Sequence, residues 1–172
     1  TVPFFAGVVE NNLVLNPVGY CMQIKHQNSR PAPVDLPANV SNIIRNNTFV
    51  KNDRASPDGD RPNLLVGGFP ASGPGSSDLS EIYGNFIFHN PREALFQGAG
   101  RISFHDNILV DGQYTAAEFK NHDRPLTFLH AYNNTVYTNA NGIQVDNTPV
   151  QGMVVTGNLI FSLTPLAGTA IG

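Results

Sequence analysis

One arrangement of apolar and polar positions recurs along the chain. Apolar positions lead to a variable residue, a small or polar residue, an asparagine, and then further apolar residues. It runs Val8-Val9-Glu10-Asn11-Asn12-Leu13-Val14-Leu15 and returns as Ile43-Ile44-Arg45-Asn46-Asn47-Thr48-Phe49-Val50. Ile82-Tyr83-Gly84-Asn85-Phe86-Ile87-Phe88 and Phe104-His105-Asp106-Asn107-Ile108-Leu109-Val110 follow. Ala131-Tyr132-Asn133-Asn134-Thr135-Val136-Tyr137 and Val155-Thr156-Gly157-Asn158-Leu159-Ile160-Phe161 complete six copies. The anchoring asparagines are 12, 47, 85, 107, 134 and 158; the last three intervals are 22, 27 and 24 residues, and the first two, 35 and 38, read as one repeat plus an insertion. Short strands recurring at this period are the unit of a solenoid.

The columns carry the reading. Two positions after each asparagine stand Val14, Phe49, Ile87, Leu109, Val136 and Ile160. Three positions before it stand Val9, Ile44, Ile82, Phe104, Ala131 and Val155. Every one is apolar, as stacked side chains filling a tube must be. The asparagine is expected at a corner, where its amide bonds to backbone and to the asparagines above and below, and where it tolerates a left-handed bend. A second strand per rung is expected over 21–25, 63–67, 94–97, 117–120 and 142–146, with a last one beginning at Ala167. Short strands with no helices between them, yet parallel from rung to rung, are satisfied by a coil of strands. The predicted fold is all-β, a right-handed parallel β-helix of about six rungs, forming a single domain over 1–172.

Composition agrees. The 172 residues suffice for one core, only 13% are charged, and 16 Gly, 13 Pro and 11 Phe accompany no Trp. The net charge of −3 offers no basic footprint for nucleic acid. No apolar run reaches membrane-spanning length. Cys21 is the sole cysteine, so no internal disulfide is possible, and among its apolar neighbours it reads as a small core filler.

The asparagine-centred rung resembles the pectin-lyase-like superfamily of right-handed parallel β-helix proteins, over essentially the whole chain. That resemblance implies action on extracellular polysaccharides and a secreted or periplasmic location. The paired aspartates and Gly-His-Gly of polygalacturonase-like hydrolases are absent, and Arg30-Pro31 only brushes the Arg-x-Pro-x-x-Arg stretch of pectate lyases. The resemblance, together with the face carrying Lys25, Gln97, Lys120 and His122, gives as the expected function a uronate polysaccharide lyase working by β-elimination, with a non-catalytic glycan-binding or structural solenoid and a glycoside hydrolase as alternatives.

Chemistry is sought where the repeat is interrupted, at 27–39, 53–62 and 68–80, because long loops in a tight solenoid carry function or contacts. Aligning the second strands on Ile24, Val66, Phe96, Phe119 and Val145 predicts an outward column of Lys25, Gly67, Gln97, Lys120 and Asp146. His26, Asn121, His122, Asp123 and Arg124 follow it, and Arg61, Asn63, Arg92 and Glu93 stand at its entering edge. Elimination needs a base, a cation on the carboxylate and an acid at the leaving oxygen, and Lys120, His122 and Arg124 offer those types. Lys25, His26, Arg61, Asn63, Arg92, Glu93, Gln97 and Asn121 would seat an acidic glycan. Asp58 and Asp60, with Asp53 nearby, could supply oxygens to Ca²⁺. Hydrolysis would need two carboxylates, for which Glu93 and Glu118 are the candidates. A further outward column, Glu10, Arg45, Tyr83, His105, Tyr132 and Thr156, could bind sugars or could simply stabilise its sheet.

The chain enters at a strand-like run, Val2, Phe4 and Phe5, and runs out at Ile171-Gly172 within a strand. A β-helix exposes unpaired backbone and apolar interior at each end. The expectation is that the numbering begins downstream of any leader, that the chain is a segment of a longer solenoid, and that further chain or another subunit covers the ends.

Overall fold

The computed structural model describes residues 4–30, 37 and 39–163. Seventeen strands, β1 to β17 in chain order, form three parallel sheets, and the described residues include no helix. Sheet A holds β1 (Val8–Glu10), β4 (Ser41–Arg45), β7 (Leu79–Tyr83), β10 (Arg101–His105), β13 (Phe128–Tyr132) and β16 (Met153–Thr156). Sheet B holds β2 (Leu13–Leu15), β5 (Thr48–Val50), β8 (Phe86–Asn90), β11 (Ile108–Gly112), β14 (Thr135–Thr138) and β17 (Leu159–Ser162). Sheet C holds β3 (Met22–Ile24), β6 (Leu64–Val66), β9 (Phe96–Gly98), β12 (Thr115–Phe119) and β15 (Asn141–Val145). The chain winds through A and B six times and through C five times among the described residues, a parallel β-helix. The strand expected from Ala167 lies outside the described residues.

Each rung therefore has three faces where the sequence suggested two. The repeating motif spans a corner, with a sheet A strand before the asparagine and a sheet B strand after it. Its columns are the paired registers: Val9–Ile44–Ile82–Phe104–Ala131–Val155 in sheet A and Val14–Phe49–Ile87–Leu109–Val136–Ile160 in sheet B. These side chains meet those of sheet C along the axis. Phe96, Phe104 and Phe119 are all fully buried, with ring centroids 4.4, 5.5 and 5.6 Å apart. Tilted and edge-on pairs of this kind add to the area that they bury.

The asparagine ladder is unbroken. The Oδ1 of Asn47, Asn85, Asn107, Asn134 and Asn158 each accepts both the backbone N–H and the side-chain Nδ2 of the ladder asparagine one rung earlier, at 2.9–3.1 Å. Each of these five Nδ2 groups also donates to a backbone carbonyl of the preceding rung, from Val9 to Ala131. The left-handed backbone belongs to the residue before: Asn11, Asn46, Gly84, Asp106, Asn133 and Gly157 have φ between 52° and 64°. The motif's small or polar position is thus explained, since only Gly, Asn and Asp enter that region readily.

Beyond each corner, sheet B alternates with both faces apolar. Leu13, Thr48, Phe86, Ile108, Thr135 and Leu159 form one outward column, and Leu15, Val50, Phe88, Val110, Tyr137 and Phe161 the other. At the start of the chain, the ring of Phe4 lies against Gly7, and Phe4 and Phe5 are half-buried. Ile171, at the other end, lies outside the described residues.

The ladder's energetic weight is testable. Asn107→Ala takes away the oxygen that accepts both the buried backbone N–H and the Nδ2 of Asn85, and removes the Nδ2 bonds to Asn134 Oδ1 and Ile82 O. With about 1–3 kcal/mol for each buried group left unpaired, the variant should lose on the order of 3 kcal/mol or more in a denaturant titration. Asn12→Ala, at an exposed position on the first rung, should lose less.

Candidate functional site

Sheet C and its two corners hold most of the residues singled out from the sequence. The register differs from the predicted alignment at rung three. Val66 pairs with Gly98, not with Phe96, and Gly98 pairs with Phe119. A side chain at Gly98 would meet Phe96 at 2.8 Å, so the Phe96 ring fills the space that an inward residue takes elsewhere. The edge column therefore reads Lys25, Gly67, Ala99, Lys120 and Asp146, and Gln97 belongs to a deeper one with Gln23, Leu65, Glu118 and Gln144. Gln97 and Glu118 are buried. Lys120 Nζ stands 2.7 Å from Glu118 Oε2, an ion pair without hydrogen-bond alignment. Glu93 sits at the opposite corner, where its Oε1 accepts the N–H of Ala94, so the two hydrolase candidates are not register partners.

After β12 the chain does not return directly to sheet A. Residues 120–126 lie back over rungs three and two to reach rung one. Arg124 Cβ lies where a Gly68 side chain would begin, and a Gly68 Cβ would also crowd Gly100. Arg124 Nη2 donates to Asn28 Oδ1 at 3.2 Å, and His26 Nδ1 lies 3.1 Å from Asp123 Oδ2. His122 Nδ1 is 3.4 Å from the same oxygen. One carboxylate thus faces two imidazoles, both through Nδ1, which turns each Nε2 away from it. The turn is set by Asp123 at φ 58° and a backbone bond from His122 to Arg124, and Asn121 Oδ1 accepts from Leu126 N. Asn121, His122, Asp123, Arg124 and Pro125 line a shallow open hollow. A base type and a carboxylate-binding type therefore share one depression.

The loop 53–62 occupies the corner between sheets B and C. His89, at φ 58°, pins it: Nε2 is 3.0 Å from Asp53 Oδ1 while Nδ1 is 2.7 Å from Asp111 Oδ2. The Arg61 guanidinium donates to the carbonyls of Asp58 and Asp60 and lies over the Tyr20 ring. The loop does not lie on sheet A beside Tyr83 and His105. Among the described residues, Asp58, Asp60 and Arg61 form no hydrogen bond with Lys25 or Gln97. Asn63 is fully buried, and its amide is engaged by the carbonyls of Phe88 and His89 and by Asn90 Nδ2. Its role is to build the corner, out of reach of a ligand. Lys51, Arg54, Asp60, Arg61 and Arg92 line a small pocket there. Lys51 was not singled out from the sequence; burial lowers its pKa, and Nζ donates to Arg61 O.

Asp58 and Asp60 are exposed and offer two carboxylates, where calcium takes six to eight oxygens. Among the described residues, no three His, Cys, Asp or Glu side chains converge on a metal position. The donor set does not fit a protein-built calcium site.

On sheet A the rings of Tyr83, His105 and Tyr132 stack at 4.9 and 4.6 Å, each pair within 6° of parallel. Arg45 donates to Tyr83 O–H and to Glu10. Rings stacked face to face hide the π faces that a sugar would cover, so this column strengthens its sheet. Compared with protein-family models, curated proteins and solved structures, the chain matches none.

Two outcomes follow. Gly68→Val should lift the turn from rung two and break the His26–Asp123 contact. It should cost about 1–3 kcal/mol as overpacking does, with faster hydrogen exchange confined to 120–126. Burial pushes the Cys21 thiol up to about 11, outweighing Lys51. Alkylation of Cys21 should accordingly be slow at neutral pH and accelerate towards that value, because the thiolate is the reactive form.

Proposed function

We propose that this β-helix is a secreted or periplasmic protein that cleaves acidic polysaccharide by β-elimination, as a distant relation of the pectin-lyase-like superfamily. The observation that carries the reading is the meeting of His26 and Asn28 with His122, Asp123 and Arg124, from rungs one and four, at an open hollow beside sheet C. Rung stacking alone requires no such convergence.

In this reading a uronate sits in the hollow with its carboxylate on Arg124, flanked by Lys25 and Lys120. With Asp123 at Nδ1, neutral His122 holds its proton there and presents a lone pair at Nε2. That nitrogen takes the C5 proton. The electron pair forms the C4=C5 double bond as the C4–O bond breaks. Protonated His26 gives its Nε2 proton to the leaving oxygen. Asp123 orients both rings and so acts as a positioning residue. Arg61 and Arg92, at the other corner, would hold carboxylates of more distant sugar units.

Binding without turnover is the second reading, favoured by the Lys120–Glu118 pairing, which commits that cation to a protein carboxylate. The assay separates them. Polygalacturonate, alginate and chondroitin sulfate should yield ultraviolet-absorbing unsaturated uronates on at least one polymer. His122→Ala should slow that rate on the order of 10²–10⁴-fold, the usual worth of a general base. Absence of product from all three, with and without added Ca²⁺, overturns elimination. Retarded migration through gels containing those polymers would then establish binding.

A further inference from the structure

We propose that the outer face of sheet B is the docking surface for a second copy of this chain, in an isologous dimer. The two outward columns cross six rungs, and of their twelve residues ten are apolar and two are threonine. Neither column contains a charged residue. Sheets A and C differ: their outward columns carry Glu10, Arg45, Glu81 and His105, or Lys25, Glu118 and Lys120. An uncharged, pleated face repeating at about 4.8 Å is complementary to itself, so it needs no second surface of different chemistry.

The open area suits the same partner. Leu13, Leu15, Ile108, Tyr137, Leu159 and Phe161 are each 46–64% exposed. At roughly 200 Å² per large side chain, these six leave on the order of 650 Å² uncovered, and a stable interface asks about 600–1,000 Å² of each partner. Soluble monomers rarely expose this much apolar side-chain area on one face of a sheet. The rim is polar on both sides. One edge is the left-handed corner with Asn46, Asp106 and Asn133, and the other is the His89–Asp111 corner. An apolar centre within a polar rim is the usual anatomy of an interface. This docking is independent of the glycan reading, because sheet B carries none of that site's residues.

Sedimentation of the 172-residue chain at tens of micromolar should show a species of twice its 18.6 kDa mass. Ile108→Lys and Tyr137→Lys place a cation at the centre of the face on side chains that point outward. Each should weaken association on the order of thirtyfold or more, with circular dichroism and melting temperature retained. Thr156→Lys, on sheet A, should remain dimeric. A monomeric parent chain overturns the proposal. So does association that Ile108→Lys and Tyr137→Lys leave intact, which would point to the solenoid ends, or a closed trimer, which one self-complementary face cannot build.

Discussion

Everything here hangs on keeping successive turns of the chain in register. A parallel strand pair has no tight hairpin to fix its alignment, and a slip of one residue would turn every inward side chain out. The asparagine ladder supplies the lock. Each amide ties its own corner to the rungs on either side, through a carbonyl oxygen that accepts twice and an Nδ2 that reaches both neighbours. The fully buried aromatic cluster of Phe96, Phe104 and Phe119 can form only because the corners hold their strands level. The insertions fall where the lock is absent, at the corners flanking sheet C.

That division explains what could be read from the amino acids. The A and B columns were legible to the residue, because ladder asparagines mark a fixed origin in every rung. Sheet C has no such marker, and the distance from the asparagine to its strand varies with the corner. At rung three the apolar pattern points to Phe96, whereas the backbone aligns Gly98. The pattern is misleading there because an aromatic ring two residues earlier fills the glycine's share of the core. The third face was missed for a related reason: a left-handed residue inside one apolar run bends a single apparent strand into two.

The candidate site shows the same limit. Lys120, His122 and Arg124 could be named from residue type, and His26 from its place after β3. Nothing local says that a turn in rung four reaches rung one, since residues 96 and 97 positions apart meet only if the intervening rungs present glycine. Asn63 looked like a ligand-facing amide and is instead the keystone of a corner. The outer apolar face of sheet B, by contrast, was open to view as alternate positions after each ladder asparagine. It takes the three-sheet arrangement to show that those positions face away from the core.

The turn that crosses Gly100 and Gly68 also alters how the molecule comes apart. In an ordinary solenoid each unit leans on its immediate neighbours alone, so unravelling proceeds inward from either end, one turn at a time. A tie from the fourth turn to the first closes a loop around the second and third. Rung one cannot peel away without breaking that tie, while among the described residues rungs five and six have no such long-range fastening. The described rungs thereby comprise a cooperative block of four turns tied across its own stack, followed by two that join it through neighbour-to-neighbour contacts.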